Sequence, residues 1–200
     1  MTDFDFELGM QTLIKSDRDL AMVIQKFGQP PRWLRPPGFA TLIHIILEQQ
    51  VSLASAKAVF ARLNSQIDLT PQNLLKLDDL ELKQIGFSRQ KTRYVRGLAD
   101  AVATEELDLE KLATADDLTI RNRLKTIKGI GDWTVDMYLM MALQRPDIFP
   151  SKDLAVAVAI KAIKNLDTRP KPAALEQIAE QWRPYRAIAT QILWHYYLNR

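Results

Sequence analysis

The sequence contains no cysteine among its 200 residues. This absence excludes disulfides, cysteine-ligated zinc, iron–sulfur clusters and thiol nucleophiles. Histidine is nearly as scarce, since only His44 and His195 are present. A transition-metal site built entirely from protein ligands is therefore not expected, and the sequence predicts no organic cofactor either.

Long apolar runs are also lacking. No stretch reaches the roughly 18 apolar residues that a membrane span requires. The first ten residues, MTDFDFELGM, are acidic and lack the basic and then apolar pattern of a secretory signal. We therefore expect an intracellular protein with no membrane partner, located in the cytoplasm at the bacterial nucleoid or, in a eukaryote, in the nucleus.

The excess of positive charge is small, because 27 basic minus 24 acidic residues leaves +3. The distribution says more than the sum. Residues 83–96, residues 121–128 and the chain after Glu180 carry basic residues and no acid. Each stretch alone is typical of a solvated helix face. Together, with one of them leading into a glycine turn, they favour a face that binds phosphate.

The pattern of residues predicts an all-α protein. Leu, Ala, Lys, Gln and Glu dominate, whereas alternating runs of Val, Ile and Thr are scarce. We find no repeats and no Gly/Ser-rich linker, so residues 1–200 are predicted to form a single domain. A short predicted helix opens at Pro71, and another is capped by Asp78 or Asp79 and stops at Gly86. The other predicted helices cover residues 17–26, 39–49, 52–63, 88–104, 108–113, 116–127, 132–144, 154–165, 173–181 and 184–198.

The most informative segment is IKGIG at residues 127–131, which precedes a predicted helix. Two of only seven glycines, Gly129 and Gly131, lie here on either side of Ile130. Glycines let a ligand approach the backbone, and the amides at a helix start attract anions. A phosphate oxygen is the natural ligand, with Lys125 and Lys128 adding charge. The alternative is a helix–turn–helix corner in which the glycines only relieve steric crowding.

Three further segments accompany this turn: LEQQVS at residues 47–52, PDIFPSKD at 146–153, and WRPYR at 182–186 with Trp194 beyond it. Together they resemble the helix–hairpin–helix DNA glycosylases, in particular the alkylpurine branch of 3-methyladenine DNA glycosylase II. The resemblance extends from Phe39 to Tyr197. It implies two packed helical subdomains with the active-site cleft between them. The first subdomain would comprise about residues 39–125, and the hairpin would follow at residues 124–144. The N- and C-terminal helices would form the second subdomain.

Departures from the family pattern narrow the prediction. Trp133 stands where bifunctional members carry the lysine that forms a Schiff base, so a monofunctional enzyme is expected. A four-cysteine cluster loop is impossible without cysteine. The N-terminal β domain of longer members has no room before Phe39, so the resemblance is to a compact all-α form.

The resemblance also implies roles for individual residues. Asp153 would be the catalytic carboxylate, and the alternative role for it is the N-cap of the helix that follows. Aromatic side chains in helical proteins often belong to the core, so each aromatic candidate for the base pocket could instead be a core residue. The predicted pocket consists of Trp133, Trp194, Met137, Tyr138 and Trp182.

DNA contacts are implied for the hairpin and for two turns. The predicted contacts are Lys125, Lys128, Gly129, Ile130, Gly131, Gln49, Gln50, Ser52, Arg89 and Lys91. The backbone carbonyls of Lys125, Ile127 and Ile130 would hold a monovalent cation, Na⁺ or K⁺. The wedge that replaces the extruded base would come either from Arg89 or from the turn at residues 49–52.

The predicted activity is hydrolytic release of alkylated purines, of the 3-methyladenine and 7-methylguanine type, from double-stranded DNA. The enzyme would act as a monomer and leave an abasic site. Two alternatives stay open at this point: a non-catalytic DNA-binding protein that uses only the hairpin, and a glycosylase for another lesion such as hypoxanthine or uracil.

Overall fold

The computed structural model describes residues 3–200, and their side chains from residue 5 onward. Within these residues there are thirteen α-helices, one 3₁₀ helix and no strand, which confirms the all-α prediction. The helices are α1 (Asp3–Ser16), α2 (Arg18–Phe27), α3 (Phe39–Glu48), α4 (Leu53–Gln66), α5 (Pro71–Lys76), α6 (Asp79–Ile85), α7 (Arg89–Ala103), α8 (Leu109–Ala113), α9 (Asp117–Lys125), α10 (Asp132–Met141), α11 (Leu154–Ile163), α12 (Pro172–Ala179), the 3₁₀ helix (Glu180–Trp182) and α13 (Arg186–Asn199).

Most helix boundaries follow from residues that cap helices locally. The side chains of Ser52 and Ser88 accept backbone amides at the starts of α4 and α7. Asp78 and Glu81 form a reciprocal capping box at the start of α6, and Gly86 ends that helix with a left-handed φ of 116°. These boundaries agree with the sequence prediction because capping involves only neighbours along the chain.

Three helices differ from the prediction by three residues or more. Helix α4 ends at Gln66, whereas the predicted end was residue 63. Helix α1 was not predicted, yet Phe6, Met10 and Leu13 recur at helical spacing and are buried on one face. Helix α10 ends at Met141, three residues before the predicted end at residue 144. Gln144 adopts a left-handed φ of 53°, which is incompatible with a continuing helix.

The chain divides into two compact units. The first contains the described residues up to Leu34 together with Leu139–Arg200, and the second contains Arg35–Tyr138. The hairpin turn and the start of α10 therefore belong to the second unit. Over the described part of the chain, no helix combines the length and apolar character needed to cross a membrane.

The first unit is organised around α13. Ile188, Ile192 and Leu193 of this helix are fully buried in one apolar cluster together with residues of α1, α2 and α11. Helix α1 lies so close to α13 that a Cβ atom added to Gly9 would be only 2.4 Å from Ile188 Cδ1. Packing of this kind fixes α13, which carries Trp194 of the predicted base pocket.

The second unit is built on α3. Seven of its ten residues are buried, among them Leu42, Ile43, Ile45 and Ile46. Such an all-round apolar helix is typical of a central position, and α3 packs against both α4 and α7. The turn between α3 and α4 carries the LEQQVS segment.

Candidate active site and nucleic-acid interface

The Asp153 carboxylate lies at the start of α11 and is only 9% exposed. Its Oδ1 atom accepts hydrogen bonds from the Val156 amide at 2.9 Å and from Trp194 Nε1 at 3.3 Å. The N-cap function considered for this residue is therefore present in the structure. The bond from Trp194 is an additional contact, and it ties the carboxylate to an aromatic side chain of α13.

Helix α13 also holds the far end of the loop that carries Asp153. The Ala187 amide donates to the Pro146 carbonyl at 2.9 Å. Arg186 Nε donates to Asp147 Oδ1 at 2.7 Å, and Arg186 Nη2 to the Asp147 carbonyl at 2.8 Å. The WRPYR segment thus anchors residues 146–153, a function that its sequence alone did not indicate.

Trp194 is half-buried and meets a second tryptophan edge to face. The centroids of Trp33 and Trp194 are 5.8 Å apart and their planes are at 87°. Sequence reasoning missed Trp33, because it lies in the proline-rich segment 29–38 between two predicted helices. A tryptophan in such a loop needs a packing partner or a ligand, and this need could have identified Trp33 as a site candidate from the sequence.

Trp182 is fully buried, in contrast to Trp194. It belongs to the apolar cluster of the first unit, and its Nε1 donates to Asp17 Oδ2 at 2.8 Å. Burial raises the pKa of Asp17, but hydrogen bonds from Trp182 and Leu20 and the charge of Lys164 outweigh it, so the pKa lies below its ordinary value. We therefore reassign Trp182 from the predicted pocket to the core.

The hairpin turn in the second unit requires glycine at one of its two glycine positions. Gly129 has a φ of 97°, and an added Cβ would lie 2.1 Å from Tyr94 Cγ. Gly131 is exposed, its φ lies outside the left-handed range, and among the described residues no atom lies within 4 Å of an added Cβ. The structure of the second unit therefore explains Gly129, whereas Gly131 leaves the helix start open to a ligand.

Gln49 connects the α3–α4 turn to this hairpin. Its Nε2 donates to the Gly129 carbonyl at 2.9 Å and to Thr134 Oγ1 at 2.9 Å. These bonds give Gln49 a positioning function within the protein, and its predicted contact with DNA stays a prediction. The next residue, Gln50, is exposed and adopts a left-handed φ of 57°. Ser52 is exposed as well and caps α4.

The cationic residues predicted to contact DNA differ in whether they already bind a partner within the protein. Lys125 Nζ donates to Asp132 Oδ1 at 2.5 Å. Lys91 Nζ donates to the Leu47 carbonyl at the end of α3, and burial lowers the pKa of Lys91. Lys128 and Arg89 are exposed. Lys91 therefore contributes to holding the second unit together, while Lys128 and Arg89 present their charges to solvent.

The remaining pocket candidates lie on α10. Trp133 is half-buried and Met137 is buried, and both stay predictions as pocket residues. Tyr138 is only 1% exposed, and its hydroxyl accepts a hydrogen bond from the Gly38 amide at 3.0 Å. Burial raises the pKa of Tyr138. We reassign Tyr138 to the support of the segment before α3.

A monovalent cation at the hairpin also stays a prediction. Carbonyl oxygens are suitable ligands for a hard cation. The Ile127 carbonyl accepts the Ile130 amide at 3.0 Å and keeps a second lone pair for such an ion. Within the described residues, no cluster of three or more His, Asp or Glu side chains offers a metal site of another kind.

Comparisons with known proteins address the identity of the chain. The family model described as "HhH-GPD superfamily base excision DNA repair protein" matches residues 43–184. DNA-3-methyladenine glycosylase 1 of Schizosaccharomyces pombe is 30% identical over 166 residues, which cover 78% of this chain and 71% of that protein. The alkylbase DNA glycosidase-like protein mag2 of the same yeast is 25% identical over 205 residues, which cover 96% of this chain and 94% of that protein.

The fold leads to the same family. The solved structure of the 3-methyladenine DNA glycosylase Mag1 from S. pombe, in complex with abasic DNA, matches with a TM-score of 0.87 at 26% identity. The match covers 93% of this chain and 94% of that one. The predicted resemblance is confirmed: the chain belongs to the HhH-GPD superfamily of base excision DNA repair proteins.

Proposed function

We infer that this chain is a DNA glycosylase that hydrolytically releases alkylated purines and leaves an abasic site. The observation that carries this inference is the Asp153 carboxylate, nearly buried and held by Trp194 at the start of α11. The names of the similar proteins, DNA-3-methyladenine glycosylase among them, support the substrate class. The abasic DNA bound to Mag1 supports DNA as the partner.

The chemistry requires a fixed negative charge next to the sugar. Loss of a purine builds oxocarbenium character at the anomeric carbon, and a carboxylate stabilises that charge and orients the attacking water. Two donors on Oδ1 fix the Asp153 side chain before the substrate arrives. An alkylated purine such as N7-methylguanine is already positively charged and leaves readily, so a general acid is not needed.

An aromatic pocket suits a cationic base. An indole face attracts a cation, and the edge-to-face partner Trp33 holds the Trp194 ring in one orientation. The base must first be extruded from the duplex to reach such a pocket. Trp133 stands where the bifunctional members of the family pattern have lysine, so the proposed enzyme is monofunctional.

The hairpin is proposed to bind a backbone phosphate through the amides around Gly129 and Gly131. Lys128 adds positive charge, and the open surface at Gly131 admits the ligand. For the wedge, Gln50 is favoured over Arg89. Gln50 is an exposed residue in a strained left-handed conformation, beside a residue that is bonded to the hairpin.

One experiment tests the function directly. The purified protein is incubated with randomly methylated duplex DNA, and the released bases are identified by chromatography. We expect 3-methyladenine and 7-methylguanine, with no covalent adduct trapped by borohydride. Binding without any base release would indicate the non-catalytic alternative. Release confined to hypoxanthine or uracil from DNA that contains them would indicate a different lesion class.

The working form we propose is a monomer bound to damaged double-stranded DNA. Light scattering of the free protein and of its complex with a short duplex tests this form. A mass of two chains in either state would contradict it.

A further inference from the structure

The hairpin contains a carboxylate that phosphate binding does not require. Asp132 is the first residue of α10 and directly follows Gly131. A negative charge at this position lies at the positive end of the helix dipole, the same place that a phosphate would occupy. Asp132 stabilises the start of α10 through this dipole, but in a DNA-binding turn its charge also opposes an anionic ligand.

The contacts of Asp132 involve the cations of the hairpin. Lys125 Nζ lies 2.5 Å from Asp132 Oδ1, and Arg121 Nη1 lies 4.0 Å from the same atom. The Arg121 guanidinium is bound more closely by Asp136 Oδ1, at 2.6 Å. Asp136 is buried and lies closer to Arg121 than Asp132 does, so Lys125 is the closer of these two cations to Asp132.

The pair of Lys125 and Asp132 is accessible to solvent. The two side chains are 43% and 33% exposed, respectively. Exposed ion pairs contribute little to folding, so stabilisation of the turn does not account for the pair. Exposure also means that Lys125 can exchange Asp132 for another anion without leaving a buried charge unpaired.

We propose that Asp132 competes with the DNA phosphate for Lys125 and so limits the affinity of the hairpin for undamaged DNA. This inference rests on the proposed function of the hairpin as a phosphate-binding turn. An enzyme that searches for rare lesions must leave undamaged sites quickly, and phosphate contacts bind every sequence alike. Asp132 weakens that sequence-independent binding while the amides of the turn stay available.

The test is the affinity of Asp132→Asn for an undamaged labelled duplex between about 50 and 200 mM salt. We expect binding about fivefold tighter at the low-salt end, and a salt slope steeper by about 0.9, the value for one added phosphate contact. The control is Asp19→Asn, which removes the same charge from an ion pair with Lys164, outside the three basic stretches of the sequence. This control should change affinity less than twofold.

Two further variants show whether Lys125 carries the effect. In a Lys125→Met background, Asp132→Asn should no longer steepen the salt slope. Tighter binding that persists there without a change in slope would overturn the proposal, because Asp132 would then only repel DNA. If Asp132→Asn does not fold, Asp132→Ser is measured in its place.

The outcome also separates this proposal from the proposed function. If Lys125→Met and a bulky residue at Gly131 weaken binding while Asp132→Asn leaves it unchanged, the competition is overturned and the hairpin contact stands. If none of these variants changes affinity, the hairpin does not bind DNA, and both the competition and the proposed DNA contact are wrong.

Discussion

At the scale of single residues, Asp153 has two functions that a conservative substitution can separate. Its Oδ1 caps α11 and accepts the indole N–H of Trp194. Asparagine caps helices about as well as aspartate and presents an oxygen of the same size. Replacing Asp153 by Asn therefore removes the charge and leaves the local structure in place.

We expect Asp153→Asn to reduce single-turnover base release at least about 100-fold, because the developing cation loses its counter-charge. Binding to damaged duplex should stay within a few-fold, and the melting temperature should be close to that of the parent protein. The matched control is Asp167→Asn, an exposed aspartate of the same unit. Substantial remaining activity in Asp153→Asn would remove the catalytic assignment.

Trp194 gives a second prediction at this scale. Trp194→Leu keeps apolar contact and removes the π face, so charged lesions should suffer more than neutral ones. The loss on N7-methylguanine should exceed the loss on hypoxanthine by about tenfold, because that factor corresponds to about 1.4 kcal/mol, within the range of cation–π contacts. Single-turnover rates at saturating enzyme measure this without interference from general DNA affinity. Equal losses would identify the ring as structural.

At the scale of elements, the two glycines of the hairpin are there for different physical reasons. Gly129 has a left-handed φ and faces the ring of Tyr94, whereas Gly131 faces open space. The first glycine is needed for the turn to form beside α7. At Gly131, a small side chain would meet no atom of the second unit.

A matched pair of alanine substitutions tests this difference. Gly129→Ala should destabilise the protein by about 2–4 kcal/mol through backbone strain and the clash with Tyr94. Gly131→Ala should leave stability within about 0.5 kcal/mol, but a larger residue there should weaken binding to all DNA sequences alike. Thermal unfolding and fluorescence anisotropy measure the two effects. A binding loss confined to lesion-containing DNA would contradict the phosphate assignment.

At the scale of the whole molecule, a partly buried charge network in the first unit links the start of α2 to residues far along the chain. Asp17 accepts from Trp182 Nε1 at 2.8 Å and pairs with Lys164 Nζ at 3.2 Å, so the start of α2 contacts the C-terminal half. Lys164 also pairs with Asp19 at 2.9 Å. Burial lowers the pKa of Lys164, but these partners outweigh it, so the pKa lies above its ordinary value of 10.5.

This network predicts a defined pH dependence of stability. The pKa of Asp17 is lowered, so its stabilisation is complete above the ordinary value of 3.8 and is lost as the pH falls through the folded-state value. The pKa of Lys164 is raised, so its contribution is complete below 10.5 and is lost at higher pH. Asp17→Asn should therefore destabilise the protein at neutral pH and flatten the acid side of the profile.

Urea unfolding from pH 2 to pH 8 measures this profile, with Asp167→Asn as the control for a lost surface charge. The destabilisation by Asp17→Asn should shrink as the parent loses its own Asp17 charge at low pH. A difference that stays constant across the range would show that the carboxylate charge does not contribute.

The sequence by itself determined the helical class, most helix boundaries, the glycine turn and the segments that place the chain in its family. These features depend on capping, spacing and backbone freedom, which neighbours along the chain decide. The partner of each polar or aromatic side chain was decided only by the tertiary structure. Gln49 reaches Gly129 across 80 positions, and Trp182 reaches Asp17 across 165. No local pattern encodes such pairs, because burial and hydrogen bonding between distant segments exist only once the helices have packed.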